Sequence, residues 1–276
     1  MEKINAISEN NDLKSNKVII SKDVSMDNTT ITFQGQNNIL FMEDGVTIAN
    51  SQITFDGSDS VIYLSSSKNV YYIDCYIANG SVIYFGQKLS ISSYLSTRLV
   101  AFATEGQNII LGDDCMLSFG IFMRTSDAHC IYDCKSRKRI NHSKSILIGD
   151  HVWLGQNALI LKGAKIGSGS IIGANSVLSS KTIPSNTMAA GNGIKILREN
   201  VFFTRRTVHG YREEDTLDSE TFKNEELIYT YSKSKENKSM SEIDNFLKKA
   251  TSAEKKMSII ISCLVESKEK NRFYME

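Results

Sequence analysis

The sequence predicts a mainly β fold, a left-handed parallel β-helix that carries an extruded loop and ends in a helical tail. Three observations predict it. An aliphatic or small residue recurs every six positions from Ile148 to Ala190. The same rhythm begins upstream at Leu111, is interrupted by a polar, basic segment at 126–145, and gives way after Arg198 to helix-capping signals and helical apolar stripes. A fixed repeat is typical of stacked units that contact only their neighbours.

The first element along the chain is a set of irregular coils within residues 1–110. Short apolar runs, such as Val61–Leu64 and Val82–Phe85, are separated there by Asn, Asp, Ser and Gly. These four residue types favour tight turns. Proline is nearly absent, with Pro184 as the single example in 276 residues. We therefore expect degenerate coils that precede the regular ones.

The regular coils are expected from Leu111 onwards. Their lead positions, six residues apart on either side of the 126–145 segment, are Leu111, Leu117, Met123, Ile148, Leu154, Ile160, Ile166, Ile172, Leu178, Pro184 and Ala190. A second position, four residues after the lead, holds Val152, Ala158, Ala164, Ser170, Ser176 and Thr182. Three units complete a triangular coil whose lead side chains fill the interior. A β-sandwich also fits a six-residue spacing, but the fixed phase of the Ile/Leu-Gly pairs favours the β-helix.

The loop and the tail complete the predicted organisation. Residues 126–145 are too polar to fill the interior, so they must project from the coils, and long loops in compact repeats are often functional. Capping boxes at Ser239–Glu242 and Thr251–Glu254, with a further helix between Asp218 and Tyr231, predict a helical tail. The tail would pack on the coils or on a neighbouring subunit. We therefore predict a β-helix domain over 1–200 and a mainly helical extension over 201–276.

Composition excludes several classes of function. The net charge of +1 argues against non-specific binding to nucleic acid or to a membrane surface. No apolar run approaches the ~20 residues of a membrane-spanning helix, and the first residues lack a signal-peptide pattern. A cytoplasmic protein is expected. The five cysteines are irregularly spaced, so we expect free thiols and no structural zinc.

The segment HVWLGQNALILKGAKIGSGSIIGANSVLSSKTIPSNTMAAGNGIKILRE resembles the C-terminal coils of the hexapeptide-repeat acetyltransferases. This family includes the galactoside, maltose and streptogramin acetyltransferases and the capsular-polysaccharide O-acetyltransferases. TSDAHCIYD and the RIN of 139–141 resemble it too, so the resemblance extends from Leu111 to Arg198. It implies acetyl-CoA as the donor, no metal, a homotrimer, and active sites between adjacent subunits.

The resemblance also implies catalytic roles. His129 matches the catalytic residue, a general base that takes the proton of the acceptor, and a neutral imidazole suits that task near neutral pH. Asp127 could orient its ring, although the backbone could do so instead. His151 is expected to be structural. The related gamma-class carbonic anhydrases bind zinc through three histidines, but Gln156 stands where the third would be, so a zinc enzyme is not expected.

On the donor side, Trp153 matches the family tryptophan beside the thioester. Gly155, Gly173 and Ala174 match small positions along the pantetheine arm, and Ser180, Lys181 and Arg198 match the region of the nucleotide phosphates. Two departures affect these contacts. The family's threonine-lysine is replaced by Ser179–Lys181, with an apparent extra residue, and its Gly-Asn-Pro by Gly191–Gly193.

The acceptor is the harder question. The loop carries Lys135, Arg137, Lys138 and Arg139 close to His129 in sequence. These cations could bind an acidic sugar polymer, or they could simply be solvated loop charges. We expect an acetyl-CoA-dependent O-acetyltransferase that acts on a sugar hydroxyl of a capsular or other cell-surface polysaccharide. The alternatives are N-acetylation of an amino sugar nucleotide and a non-catalytic β-helical scaffold.

Overall fold

The computed structural model describes residues 1–8, 13–92, 97–223 and 229–276. The predicted left-handed parallel β-helix is confirmed, with its coils stacked strand on strand into three sheets. The first sheet consists, in stacking order, of β1 (Glu2–Ile4), β4 (Thr30–Phe33), β7 (Gln52–Phe55), β9 (Ile73–Ile77), β12 (Leu99–Ala103), β15 (Phe122–Arg124), β18 (Leu159–Leu161) and β21 (Val177–Leu178). The second consists of β2 (Lys17–Ile20), β5 (Ile39–Met42), β8 (Val61–Leu64), β10 (Val82–Phe85), β13 (Ile109–Leu111), β16 (Ile146–Ile148), β19 (Lys165–Ile166) and β22 (Thr182–Ile183).

The third sheet is shorter. It consists of β11 (Ser90–Ile91), β14 (Met116–Leu117), β17 (Trp153–Leu154), β20 (Ile171–Ile172), β23 (Met188–Ala190) and β24 (Lys195–Arg198). In the first coils a two-stranded sheet of β3 (Ser25–Asp27) and β6 (Thr47–Ala49) takes the corresponding place. The pairs β1–β4 and β23–β24 are antiparallel, and the other pairs that join the described strands are parallel.

Coil length differs between the two halves of the β-helix. In the first coils, stacked residues such as Asn16 and Asn38 are 22 positions apart. In the later coils, stacked residues such as Asp150 and Ser168 are 18 positions apart, which is three units of six. The early coils therefore belong to the same sheets, but their longer turns hide the six-residue rhythm.

The interior contains the predicted lead side chains up to Leu178, each of them buried. The phase then slips by one residue. Ile183 stacks on Ile166, and Ala189 stacks on Ile172, so the leads predicted at Pro184 and Ala190 were wrong. The unit that starts at Leu178 has five residues instead of six, and Ser180 takes the positive φ of its corner at +49°. Thr182, predicted as a small buried position, is exposed, and the next small buried residue is Thr187, four residues after Ile183.

The outer face of the second sheet is covered by the tail. Helices α2 (Met240–Lys249) and α3 (Ala253–Ile260), with a π-helical turn at Ile261–Val265, pack on this face. The strand side chains beneath them are Ile39, Val61, Tyr63, Val82, Tyr84, Ile110 and Leu147. Strands buried on both faces read as continuous apolar runs, which explains the four consecutive buried residues of β8 and of β10. We call this surface the tail-covered face.

The ends of the tail helices partly follow the capping signals. The box at Ser239 is present: its hydroxyl accepts from the Glu242 N–H at 3.2 Å, and the Glu242 carboxylate accepts from the Ser239 N–H at 2.8 Å. The second cap is Ser252 and not Thr251. The helix predicted between Asp218 and Tyr231 was also misplaced. Helix α1 (Glu213–Asp218) instead ends where the predicted helix was to begin. It begins at Glu213 because three acidic residues favour the first turn of a helix. Residues 224–228 of the predicted helix lie outside the described residues.

The end of the tail is tied to the coils by Arg272. Its side chain, 3% exposed, donates from Nε and Nη2 to both oxygens of Asp150 at 2.9 and 2.8 Å, and Nη2 lies 2.9 Å from Asp113 Oδ2. A further nitrogen donates to the Leu264 carbonyl at 2.8 Å. Arg272 therefore links the last turn of the tail to the corner between the second and third sheets. Among the described helices, none combines the length and apolar character needed to cross a membrane.

Candidate active site

A cavity of about 370 Å³ lies between the outer face of the first sheet and the projecting loop. Its floor is formed by Tyr76, Phe102 and Arg124, which are direct partners across β9, β12 and β15. Side chains in a strand alternate between its two faces, so these three project outward while their neighbours fill the interior. The loop contributes residues 126–130, including His129, as one wall of the cavity.

Asn141 holds the base of the loop together. Its side-chain nitrogen donates to Asp127 Oδ2 at 2.9 Å and to the His129 carbonyl at 2.8 Å. Its side-chain oxygen accepts from the Ile131 N–H at 2.8 Å. This residue, 7% exposed, thereby fixes the backbone on both sides of His129. The RIN motif pointed to this segment, but the sequence alone did not assign Asn141 a place in the site.

Asp127 does not act on the His129 ring in this geometry. Its carboxylate is paired with Lys162 and accepts from Asn141, and these contacts lower the pKa of Asp127 below its ordinary value. Within the described ranges, no hydrogen bond joins that carboxylate to the imidazole of His129, which is exposed. In this structure Asp127 braces the loop through Asn141 and Lys162. That it orients the His129 ring stays a prediction.

The three predicted acceptor cations separate. Arg139 lines the cavity and forms a two-point ion pair with Glu105, with N–O distances of 2.6 and 3.0 Å. This pairing, with a hydrogen bond from Ser143, lowers the pKa of Glu105 to about 2. Arg137 and Lys138 are exposed in the turn at the loop tip and do not line the cavity. The turn places Arg137 at φ +58°.

Trp153 lies on a different surface, the outer side of the third sheet. Its ring is partly buried, its Nε1 donates to Ser118 Oγ at 3.4 Å, and its ring centre is 5.8 Å from that of Phe203. Neighbouring His151 is buried between the rings of Phe203 and Tyr229, with centroid distances of 4.1 and 4.0 Å. The His151 side chain is therefore packed among other residues of the protein and is not exposed to solvent.

Gly155 and Gly173 lie at the corner between the third and first sheets. A Cβ on Gly155 would lie 2.6 Å from the Ala174 nitrogen, and one on Gly173 would lie 2.7 Å from the Ala190 Cβ. Real Cβ atoms do not approach so closely, so coil stacking alone requires glycine at both positions. Ala174 follows on the exposed side of the same corner.

The remaining predicted donor residues are elsewhere. Ser180 and Lys181 line a second cavity of about 450 Å³ at the next corner, where Lys181 Nζ donates to the Ile194 carbonyl at 3.1 Å. Arg198 is exposed at the end of β24. None of the predicted donor residues lines the cavity beside His129. Within a single chain, the predicted base and the predicted donor-binding residues therefore lie on different surfaces.

Sequence reasoning missed Arg124, Glu105 and Lys162 as well as Asn141. Glu105 and Lys162 contact the loop from neighbouring coils, and such neighbours are not visible until the strand register is known. Arg124 directly precedes the loop and Asn141 lies within it, but their contacts also appear only in the folded chain. In the described ranges, no group of three or more His, Cys, Asp or Glu side chains is arranged to hold a metal ion.

Comparisons with known proteins agree with this architecture. Residues 145–180 match the family model of the bacterial transferase hexapeptide (six repeats), which confirms the predicted resemblance. The chain is 41% identical over 132 residues to a polysialic acid O-acetyltransferase of Escherichia coli O1:K1 / APEC, covering 48% of this chain and 41% of that protein. It is 47% identical over 124 residues to a polysialic acid O-acetyltransferase of Neisseria meningitidis, covering 45% and 57%. The matches thus span less than two thirds of these relatives.

Two solved structures share the fold over a larger part of the chain. The polySia-specific acetyltransferase NeuO superposes with a TM-score of 0.62 at 29% identity, covering 74% of this chain and 85% of that one. The polysialic acid O-acetyltransferase OatWY superposes with a TM-score of 0.54 at 26% identity, covering 73% and 97%.

Proposed function

We propose that this chain, which contains a hexapeptide-repeat segment on a left-handed β-helix, is an acetyl-CoA-dependent O-acetyltransferase. Its acceptor is a sugar hydroxyl of an acidic capsular or other cell-surface polysaccharide. The observation that carries the proposal is His129, an exposed imidazole held by a braced loop at the edge of a cavity large enough for a sugar unit. The names of the relatives and structural neighbours supply the substrate class. We place the reaction in the cytoplasm because it consumes acetyl-CoA.

The proposed chemistry is a direct acyl transfer. His129 accepts the proton of the acceptor hydroxyl while the hydroxyl oxygen attacks the thioester carbonyl of acetyl-CoA. As the new C–O bond forms and the C–S bond breaks, the imidazolium returns its proton to the departing sulfur. The loop supports this by holding the backbone of His129 through Asn141, so little ordering is needed when substrate binds.

The donor is proposed to come from a neighbouring subunit. The loop that carries His129 exposes three large apolar side chains, Ile131 (51%), Tyr132 (57%) and Ile140 (62%). A monomer gains nothing from exposing them together, whereas a second copy would bury them. We propose a homotrimer in which this loop meets the third sheet of the next copy, beside Trp153, Gly155, Gly173 and Ala174. Ser180, Lys181 and Arg198 are proposed to bind the nucleotide end of the donor.

The test is an acetyl-transfer assay with purified protein, acetyl-CoA and a panel of glycans, following the release of free thiol. We expect thiol release with polysialic acid, and a loss of about 10²- to 10⁴-fold in kcat for His129→Ala. His142→Ala is the matched control, because this exposed histidine lies in the same loop but outside the cavity, and it should retain activity.

Two other outcomes would change the proposal. Thiol release only with an amino sugar nucleotide would support N-acetylation. If the unmodified protein released no thiol with any acceptor, the result would favour a non-catalytic scaffold. Light scattering tests the homotrimer separately, and a monomer that is fully active would contradict the shared site.

A further inference from the structure

Four charged side chains line the cavity beside His129: Glu105, Arg124, Asp127 and Arg139. Two ion pairs account for three of them. Glu105 is paired with Arg139, and Asp127 is paired with Lys162 from the next coil. Arg124 remains: among the described residues it forms no ion pair, and the charge of Asp127 acts on it only from beyond ion-pair distance. The cavity therefore contains one cation without a directly paired anion.

The position of Arg124 is fixed by its neighbours. It projects from β15 directly beside Phe102 of β12, and its guanidinium carbon lies 5.7 Å from the centre of that ring. On the other side its strand partner is Leu161. Stacking of a guanidinium on an aromatic face orients the planar group without neutralising it. Arg124 thus has a preferred orientation before any substrate binds.

The guanidinium is also incompletely satisfied. Arg124 Nε is buried and has no hydrogen-bond partner. Removing a charged group from water without an anion or hydrogen bonds costs free energy. A carboxylate accepted in the cavity would return part of that free energy, since carboxylates pair with guanidinium groups through short, charge-assisted hydrogen bonds.

We infer that Arg124 recognises a carboxylate of the acceptor and so selects acidic sugars for acetylation. The inference rests on the proposed function and deepens it. With the carboxylate at Arg124, a sugar ring would lie over the aromatic side chains of Tyr76 and Phe102, and its hydroxyls would face His129 across the same cavity. The cavity of about 370 Å³ is of the size that binds one small ligand group, so a single residue of the polymer is read at a time.

The test compares two acceptors that differ at the carboxyl group: a sialic acid oligomer and the same oligomer with its carboxylates converted to uncharged methyl esters. The unmodified protein should prefer the acid by roughly 10- to 100-fold in kcat/KM, the range of one hydrogen-bonded charge pair. Arg124→Gln should abolish most of that preference by weakening use of the acid and leaving use of the ester nearly unchanged. Arg124→Lys should keep part of the preference, because it keeps the charge but loses the planar fork. Arg212→Gln, an exposed tail arginine outside the cavity, is the control and should behave as the unmodified protein.

Binding of both oligomers, measured by calorimetry without acetyl-CoA, separates this inference from the proposed function. If the unmodified protein binds the acid more tightly than the ester, and Arg124→Gln loses this difference, the inference is supported. This holds even if no acetyl transfer is found, and then only the proposed function fails. Equal weakening of both oligomers by Arg124→Gln, or no effect on either, overturns the inference. Far-ultraviolet circular dichroism of the variant establishes that it is folded.

Discussion

The first and second sheets belong to the same coils, yet their outer faces are opposite in character. On the tail-covered face, β8 and β10 bury every residue, and apolar helices seal them. On the first sheet, β9 and β12 alternate between buried and partly exposed residues, and the outward positions form the floor of the cavity. The tail thus covers the face on which alternation is lost, whereas the face on which alternation persists stays open to the cavity.

The two faces also use charge differently. Beside the tail-covered face, Arg272 is buried between Asp113 and Asp150, so its charge is neutralised within the fold. On the open face, Arg124 lines the cavity without a directly paired anion, and its Nε has no hydrogen-bond partner. We therefore expect substitutions at the tail-covered face to reduce stability, and substitutions on the open face to change the use of acceptors.

The largest loss of stability is expected for Arg272→Ala. Removing this guanidinium leaves two largely buried carboxylates without their shared partner, which costs about 3–5 kcal/mol in the free energy of unfolding. Urea denaturation measures it. Lys268→Ala is the control, because Lys268 contacts Asp113 from the solvent side at 41% exposure and should cost less than about 1 kcal/mol. Equal, small losses for the two variants would show that the tail is not anchored by Arg272.

A somewhat smaller loss is expected for Leu247→Ala. Leu247 is fully buried where α2 packs on the second sheet, and such truncations cost about 3 kcal/mol through lost burial and the cavity left behind. The preceding residue, Phe246, is 41% exposed, so Phe246→Ala should cost less than about 1 kcal/mol. Thermal unfolding distinguishes them. If Phe246→Ala lowered the free energy of unfolding more than Leu247→Ala, α2 would pack on the sheet through the face that carries Phe246.

How far the sequence predicts this molecule depends on whether a feature lies within one coil or between coils. The lead aliphatics repeat along the chain, so the fold and most of the interior were predictable. The slip at Leu178 was not, because fixed units of six cannot anticipate a turn that closes with one residue fewer. For the candidate site, the sequence predicted a projecting loop that carries His129, and the structure places that loop beside a cavity. Arg124 was missed because its role depends on Phe102, which the register places beside it from an earlier coil.

A third prediction concerns Asp114, at the corner between the second and third sheets, where the chain after β24 contributes Arg205. Burial raises the pKa of Asp114, but the hydrogen bond from His151 and the charge of Arg205 outweigh it and lower the pKa from 3.8 to about 2. A carboxylate whose pKa is lower in the folded protein than in the unfolded chain stabilises the fold at pH values above the unfolded pKa. This contribution is lost as the pH falls from about 4 to 2. At pH 6 it amounts to about 2 kcal/mol.

Asp114→Asn should remove this contribution. Urea denaturation should show the variant less stable than the unmodified protein at pH 6, and the difference should shrink as the pH falls through 4 towards 2. A difference that stays constant over that range would mean that the charge of Asp114 contributes nothing, and that only the shape and hydrogen bonds of the side chain matter.

The smallest effect on stability is expected on the open face. Phe102→Leu removes a partly exposed ring, so the free energy of unfolding should fall by less than about 1 kcal/mol. The same change removes the aromatic face beneath Arg124, a contact worth about 0.5–1 kcal/mol at an exposed site, so KM for an acidic acceptor should rise by roughly 2- to 5-fold. Phe122→Leu is the matched control. Phe122 projects from the same sheet and packs against Phe102 at a ring distance of 5.7 Å, but it does not line the cavity, and its loss should leave KM nearly unchanged. If both leucine variants raised KM equally, the aromatic cluster would act as a whole, and Arg124 would not owe its position to Phe102.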